Sequence, residues 1–131
     1  MKSAKALLCA CESGKTYAAC CKIYHDGASA PTAELLMRSR YTAYTLSLEP
    51  YLLTTWHPET RPTSLNLTEN DRHILWLGLQ IKATEQLNDT EATVTFVARF
   101  KDNAQQGKAE RMLEKSHFIR LNGQWFYHQA L

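Results

Sequence analysis

No cysteine occurs after position 21, although the first 21 residues hold four. The chain also lacks any apolar run near the roughly 20 residues that a membrane-crossing helix needs, so membrane insertion is not expected. Glycine and proline are sparse, at five and four in 131 residues, which excludes collagen-like and linker-dominated chains. No internal repeat or low-complexity stretch is present. Charge of one sign is missing too: 15 basic against 13 acidic residues leave a net +2, too mild to serve as the footprint of a nucleic-acid binder. The apolar stretch between Lys5 and Cys9 is three residues long, whereas a secretory signal needs about 7–15. The chain is therefore expected to start mature and to work in the cytoplasm.

What is present begins with Cys9, Cys11, Cys20 and Cys21: Cys-x-Cys, eight residues, then Cys-Cys. In a reducing cytosol clustered cysteines point to a metal or to redox thiols more than to structural disulfides. Zinc takes four thiolates in a tetrahedron, and Gly14 supplies the turn that the intervening loop needs. Four thiolates on a dication leave a formal −2, which Lys5, Lys15 and Lys22 would offset. A unit this small has no core of its own, so metal binding would supply its folding energy. The expectation is one structural zinc ion. Two alternatives stay open: His25 replacing one thiol, and a redox role for the adjacent Cys20-Cys21 pair.

Residues 1–27 thus form a small metal-binding unit, and the Gly27-Ala28-Ser29-Ala30-Pro31 stretch reads as a linker. A second unit, 32–131, opens with Thr32 as a helix N-cap. Leu35, Leu36, Arg40, Ala43, Tyr44 and Leu48 recur at helical spacing, and Pro50 predicts a helix end at Glu49. A short helix over 50–55 follows, then a turn at Trp56-His57-Pro58 and a loop over 58–72. From Ile74 the period becomes two. Strands are predicted over 74–85, 92–101, 111–121 and 124–129, with Asn122-Gly123 as a type I′ hairpin turn. Helices followed by an antiparallel meander predict an α+β fold, with helices packed on one face of a curved four-stranded sheet.

Two resemblances attach to these residues. Cys9-Ala10-Cys11-Glu12-Ser13-Gly14-Lys15, with the later Cys20-Cys21, resembles the SEC-C zinc motif known from the SecA translocation ATPase; Ala10 and Glu12 stand where proline and glycine are usual. Met37-Arg38-Ser39-Arg40-Tyr41, Thr55-Trp56-His57-Pro58 and Phe96-Val97-Ala98-Arg99-Phe100 look like the YchJ-type bacterial proteins. That resemblance spans nearly the whole chain and implies a cone-shaped, cystatin-like fold similar to nuclear transport factor two. It implies no settled activity. The SEC-C resemblance implies a docking role.

The hairpin register places Glu114, Ser116, Phe118, Arg120, Trp125 and Tyr127 on one sheet face. A cone of this kind encloses a cavity, and a pocket is expected from Arg40, Tyr44, Trp56, His57, Arg99, Glu114, Trp125 and Tyr127, with Glu114 paired to Arg40 or Arg99. A filled core network of the same residues is the competing expectation. His117 is expected opposite His128, on a face without a carboxylate. Three functions are carried forward: a non-catalytic zinc accessory protein with a protein partner, a small-molecule binder or enzyme using the cavity, and a thiol sensor. Nucleic acid as the partner has weak support from Lys2, Lys5, Lys15 and Lys22 with Tyr17 and Tyr24, and oligomeric state is left open.

Overall fold

The computed structural model describes residues 7–67, 74–105 and 107–131. Lys2 and Lys5, and part of the loop predicted over 58–72, lie outside the described residues. The elements run α1 (Cys21–His25), α2 (Ala33–Leu46), α3 (Glu49–Thr54), then β1 (Ile74–Asn88), β2 (Glu91–Asp102), β3 (Ala109–Leu121) and β4 (Gln124–Ala130). The four strands form one antiparallel sheet in the order β1-β2-β3-β4, and the helices pack on it.

Helix α2 starts where its cap residue says it should. The Thr32 hydroxyl accepts from the Leu35 N–H at 3.1 Å, and Glu34 lies in the positive first turn. Its end differs from expectation. Ser47 adopts φ 58°, and Leu48 N–H donates to the Ala43 carbonyl at 2.8 Å, closing the helix with a left-handed cap. Pro50 therefore does not terminate α2. It sits in the first turn of α3, where its missing N–H has no helical partner to lose.

Strand β1 runs beyond the expected residue 85, pairing with β2 as far as Asn88–Glu91, and its register slips between Trp76 and Gly78, Ile81 and Ala83, and Gln86 and Asn88. Each slip bends and twists the strand without ending it. Asn122 and Gly123 both have positive φ, 51° and 78°, as the type I′ turn requires. Leu121 then pairs with Gln124 and Ile119 with Phe126. A further irregularity between His117 and Phe118 pairs His117 with Gln129, not with His128. Strand β4 is also tied to the helical side, through His57 N–H to the Tyr127 carbonyl at 2.7 Å and Tyr127 N–H to the Thr55 carbonyl at 2.8 Å.

The cysteine unit is docked. All four cysteines belong to the same apolar cluster as Leu36, Met37 and Tyr41 of α2 and Leu79, Phe96, Phe118 and Trp125 of the sheet. Glu12 holds the cysteine loop to β1: its Oε2 accepts from Leu79 N–H at 2.9 Å and lies 3.3 Å from Arg99 Nη2. Gly78 makes room for this clamp, since a Cβ there would lie 2.0 Å from Glu12 Oε2 and 2.1 Å from Arg99 Nη2.

Candidate functional site

The loop carrying the first two thiols is pinned at its neck. Leu8 bridges Thr16, and Cys9 N–H donates to the Lys15 carbonyl at 2.8 Å. Between them the chain turns through Glu12 and Gly14, at φ 63° and 90°. Cys20 then enters α1, with Cys21 as its first residue. The result is four buried cysteines whose Sγ atoms all lie within 4.8 Å of one another. None is in a disulfide. The Cys11–Cys20 and Cys20–Cys21 Sγ separations are 3.6 and 4.0 Å. A tetrahedron of thiolates about 2.3 Å from a central ion has edges of about 3.8 Å, so the donor set and its spacing suit a metal.

The electrostatics agree. The Cys11 thiol is pulled down to about 4, first by S–H donation from Cys21 and then by Ser13, against the opposing effect of burial. Cys21 is pushed up by the same hydrogen bond and by burial, and Cys20 is pushed up chiefly by burial. Without a metal, Cys11 is therefore the stabilised thiolate, while Cys20 and Cys21 keep their protons. A bound cation replaces those protons. Around the sulfurs, the Ser13 hydroxyl lies 3.1 Å from Cys20 Sγ and the Thr42 hydroxyl 3.6 Å from Cys9 Sγ. Arg38 Nη1 donates to the Cys11 carbonyl at 2.7 Å. These outer partners come from separate parts of the chain and have no spacing signature.

His25 is not placed as a ligand. Its Nδ1 accepts from the Tyr17 hydroxyl at 2.7 Å, and its Nε2 donates to the Ser39 carbonyl at 2.8 Å. Burial lowers its pKa, which suits a neutral ring with both nitrogens occupied. Of the flanking lysines, Lys15 is exposed and Lys22 pairs with Asp26 at 2.6 Å.

A second feature lies between α2 and the concave sheet face: a cavity of about 340 Å³. Arg40, Tyr44, Trp56, Glu114 and Tyr127 line it, together with Met37, Trp76, Phe100 and Met112. The three other residues expected there are elsewhere. Arg99 lies on the opposite sheet face and pairs with Glu12. Trp125 is buried away from the cavity, its ring 5.9 Å from the Arg120 guanidinium. His57 packs its edge on Phe126 and His128, and its Nδ1 accepts from Glu59 N–H at 3.0 Å. The additional wall residues Trp76 and Phe100 were visible in the sequence only as apolar strand positions.

Arg40 is 3% exposed. Its Nη1 donates to the Leu52 carbonyl at 2.8 Å and to the Thr55 hydroxyl at 2.7 Å. Its guanidinium carbon sits 5.1 Å from the Trp56 ring and 4.7 Å from the Tyr127 ring. Among the described residues no carboxylate pairs with it directly, so the expected Arg40–Glu114 and Arg99–Glu114 pairs are not formed. Glu114 instead accepts from the Ser116 hydroxyl at 2.6 Å. Burial draws Arg40 down to about 10, and burial with the Glu114 charge pushes Tyr127 up to about 12.

His117 and His128 do meet, although they are not register partners: the bulge brings their Nδ1 atoms to 2.9 Å. Carboxylates, not expected on this face, bracket them. His117 Nε2 lies 2.9 Å from Glu91 Oε1, and His128 Nε2 lies 2.7 Å from Glu59 Oε1. Carboxylates only accept, so each ring offers its Nε2 hydrogen to one of these carboxylates.

Comparison with known proteins follows these features. The model of the family described as "YchJ, middle NTF2-like domain" matches residues 32–130. A UPF0225 protein of Chromobacterium violaceum is 50% identical over 136 residues, covering 100% of this chain and 98% of the relative. One from Bordetella pertussis is 48% identical, covering 91% of this chain and 88% of that protein. The solution structure of a SEC-C motif containing protein from Rhodopseudomonas palustris matches with TM-score 0.82 at 32% identity, covering 94% of this chain and 96% of that one. The crystal structure of a SEC-C motif containing protein from Psychrobacter arcticus matches with TM-score 0.74 at 27% identity, covering 97% and 82% respectively. With the family model spanning most of its length and its relatives matched end to end, the chain belongs to the YchJ family of NTF2-like domains.

Proposed function

We propose that this protein is a non-catalytic accessory factor of the cytoplasm whose Cys9, Cys11, Cys20 and Cys21 hold one structural zinc ion. In this reading the metal-braced loop serves as a docking element for a protein partner. The observation that carries the metal assignment is the group of four buried thiols within 4.8 Å. Thiolate ligands select zinc over the hard cations, and a reducing compartment keeps them available.

The docking element has a surface to match. Beside the cluster, Leu7 is 84% exposed, Leu8 69% and Ile23 45%. Three exposed aliphatic side chains around a rigid knuckle, with Lys15 at the rim, suit a partner that offers an apolar contact with acidic surroundings. Lys22 contributes less, because Asp26 already answers its charge.

The test is elemental mass spectrometry of the purified protein beside Cys20→Ser, then pull-down with Leu8→Asp and Lys15→Glu. One zinc per chain, lost in Cys20→Ser, is expected, with partner capture reduced in the surface variants at unchanged zinc content. A protein without metal and with four titratable thiols would overturn the metal assignment. Partner capture unaffected by both surface variants would overturn the docking role.

A further inference from the structure

The cavity between α2 and the sheet contains an unusual combination. Its walls are mainly aromatic and aliphatic, yet it holds a buried cation and a carboxylate that do not touch each other. Buried charges are normally paired. Among the described residues, Arg40 is met by two neutral oxygens and two ring faces. Both of those hydrogen bonds use Nη1, while the guanidinium also lines the cavity. Glu114 lines the same space and accepts one bond, from Ser116, although a carboxylate has room for about four.

We propose that this cavity binds a small aromatic carboxylate bearing a hydroxyl or amine, its carboxylate on Arg40 and its donor group on Glu114. A planar carboxylate matches the guanidinium fork and supplies the missing counter-charge. The donor requirement follows from Glu114: a ligand carrying an anion alone would meet its negative charge with nothing to offer it. The aromatic requirement follows from the walls, where Trp76 lies 5.7 Å from Tyr41 and 5.8 Å from Phe100, ring to ring. At about 340 Å³ the space is at the small end of the range for ligand pockets, about 300–1,000 Å³, so a one- or two-ring compound is the size that fits. Access is from the Met112 end, since Met112 is 38% exposed whereas Arg40 is not. The inference is independent of the metal, because cavity and thiol cluster share no residue.

Three probes differing by one group test it on the metal-loaded full chain: 4-hydroxyphenylacetate, phenylacetate, and the methyl ester of 4-hydroxyphenylacetate. Indole resonances of Trp56 and Trp76 report on the cavity, and Trp125 is the internal control. The acid with the hydroxyl is expected to shift Trp56 and Trp76 and leave Trp125 unmoved. Loss of the donor or of the negative charge should each weaken binding at least ~10-fold, the scale of one charge-assisted hydrogen bond. Met112→Trp, at a partly exposed position, should abolish binding while leaving the melting temperature unchanged. Arg40→Lys should reduce the acid toward the ester if it folds; Glu114→Gln, which spares Arg40, should erase the preference for the hydroxyl. Equal binding of acid and ester, undiminished binding in Met112→Trp, or no indole shift at millimolar 4-hydroxyphenylacetate would each overturn the proposal.

Discussion

Replacing Gly78 by alanine tests how the cysteine loop is held to the sheet. The new Cβ would lie 2.0 Å from Glu12 Oε2, 2.1 Å from Arg99 Nη2 and 2.9 Å from Arg99 Cζ. Both obstacles are tips of flexible side chains, so the variant folds and the tips move away. What is lost is the Leu79 N–H···Glu12 bond and the Glu12–Arg99 pair. Leu79 is 4% exposed, so its freed N–H costs about 1–3 kcal/mol. The ion pair, with both side chains nearly half exposed, is worth about 0.5 kcal/mol. Against this, alanine recovers ~0.5–1 kcal/mol of backbone entropy within a strand. The net is a loss of about 0.5–3 kcal/mol, or roughly 2–10 °C in melting temperature for a domain of this size. Thermal unfolding followed by circular dichroism, at verified metal load, measures it. Glu12→Gly supplies the control background. Glycine suits the φ of 63° at position 12, and with the carboxylate gone Gly78→Ala should be neutral or slightly stabilising. An equal cost in both backgrounds would refute the reasoning, because the clash would then be with something other than the clamp.

Three other outcomes follow from the same structure. Ser47→Gly should raise stability by about 0.5–1 kcal/mol in urea unfolding, since Ser47 closes α2 at φ 58° where glycine is unstrained. Metal removal by a chelator at neutral pH should lower the melting temperature and expose four titratable thiols; readdition should release protons measurable with a pH indicator, because Cys20 and Cys21 keep theirs in the empty cluster. His25 is half-buried, and desolvation holds its folded pKa below the ordinary histidine value of about 6.5, so the unfolded chain takes up its proton first. Its contribution to stability is complete above about pH 6.5 and declines as pH falls toward the folded value. Urea titrations in that window should show a shallower decline for His25→Gln, while an identical pH dependence would count against the half-buried neutral ring.

The parts of the fold that local chemistry dictates were legible from the residues alone. Thr32 caps its helix and Asn122-Gly123 turns its hairpin because each interaction lies within a few residues in sequence. The cysteines could be assigned to one site because thiol chemistry leaves few alternatives. The errors come from interactions that spacing does not encode. Ser47 ends α2 through a left-handed conformation that serine rarely adopts, so Pro50 looked like the stop. One bulge between His117 and Phe118 changed the partner of His117, and the two carboxylates beside the histidines come from β2 and from the loop after α3, at Glu91 and Glu59. Arg99 drew an expectation of burial because it interrupts an apolar strand. Arg99 is instead about half exposed, and Glu12 of the cysteine loop, 87 positions away, is its partner.

That docking gives the two sites a common element. Helix α2 presents Thr42 and Arg38 to the thiol loop and Met37, Arg40, Tyr41 and Tyr44 to the cavity. Metal at the thiols and a ligand in the cavity would each bind the folded chain and not the unfolded one, so each stabilises it by mass action without any change of shape. If the sites act only through that shared unfolding equilibrium, their stabilisations add. If α2 shifts when either site fills, they do not, and the departure from additivity is the coupling free energy between them, the same in both directions. A melting experiment with metal, with 4-hydroxyphenylacetate and with both therefore separates one rigid core carrying two independent sites from a helix that links them.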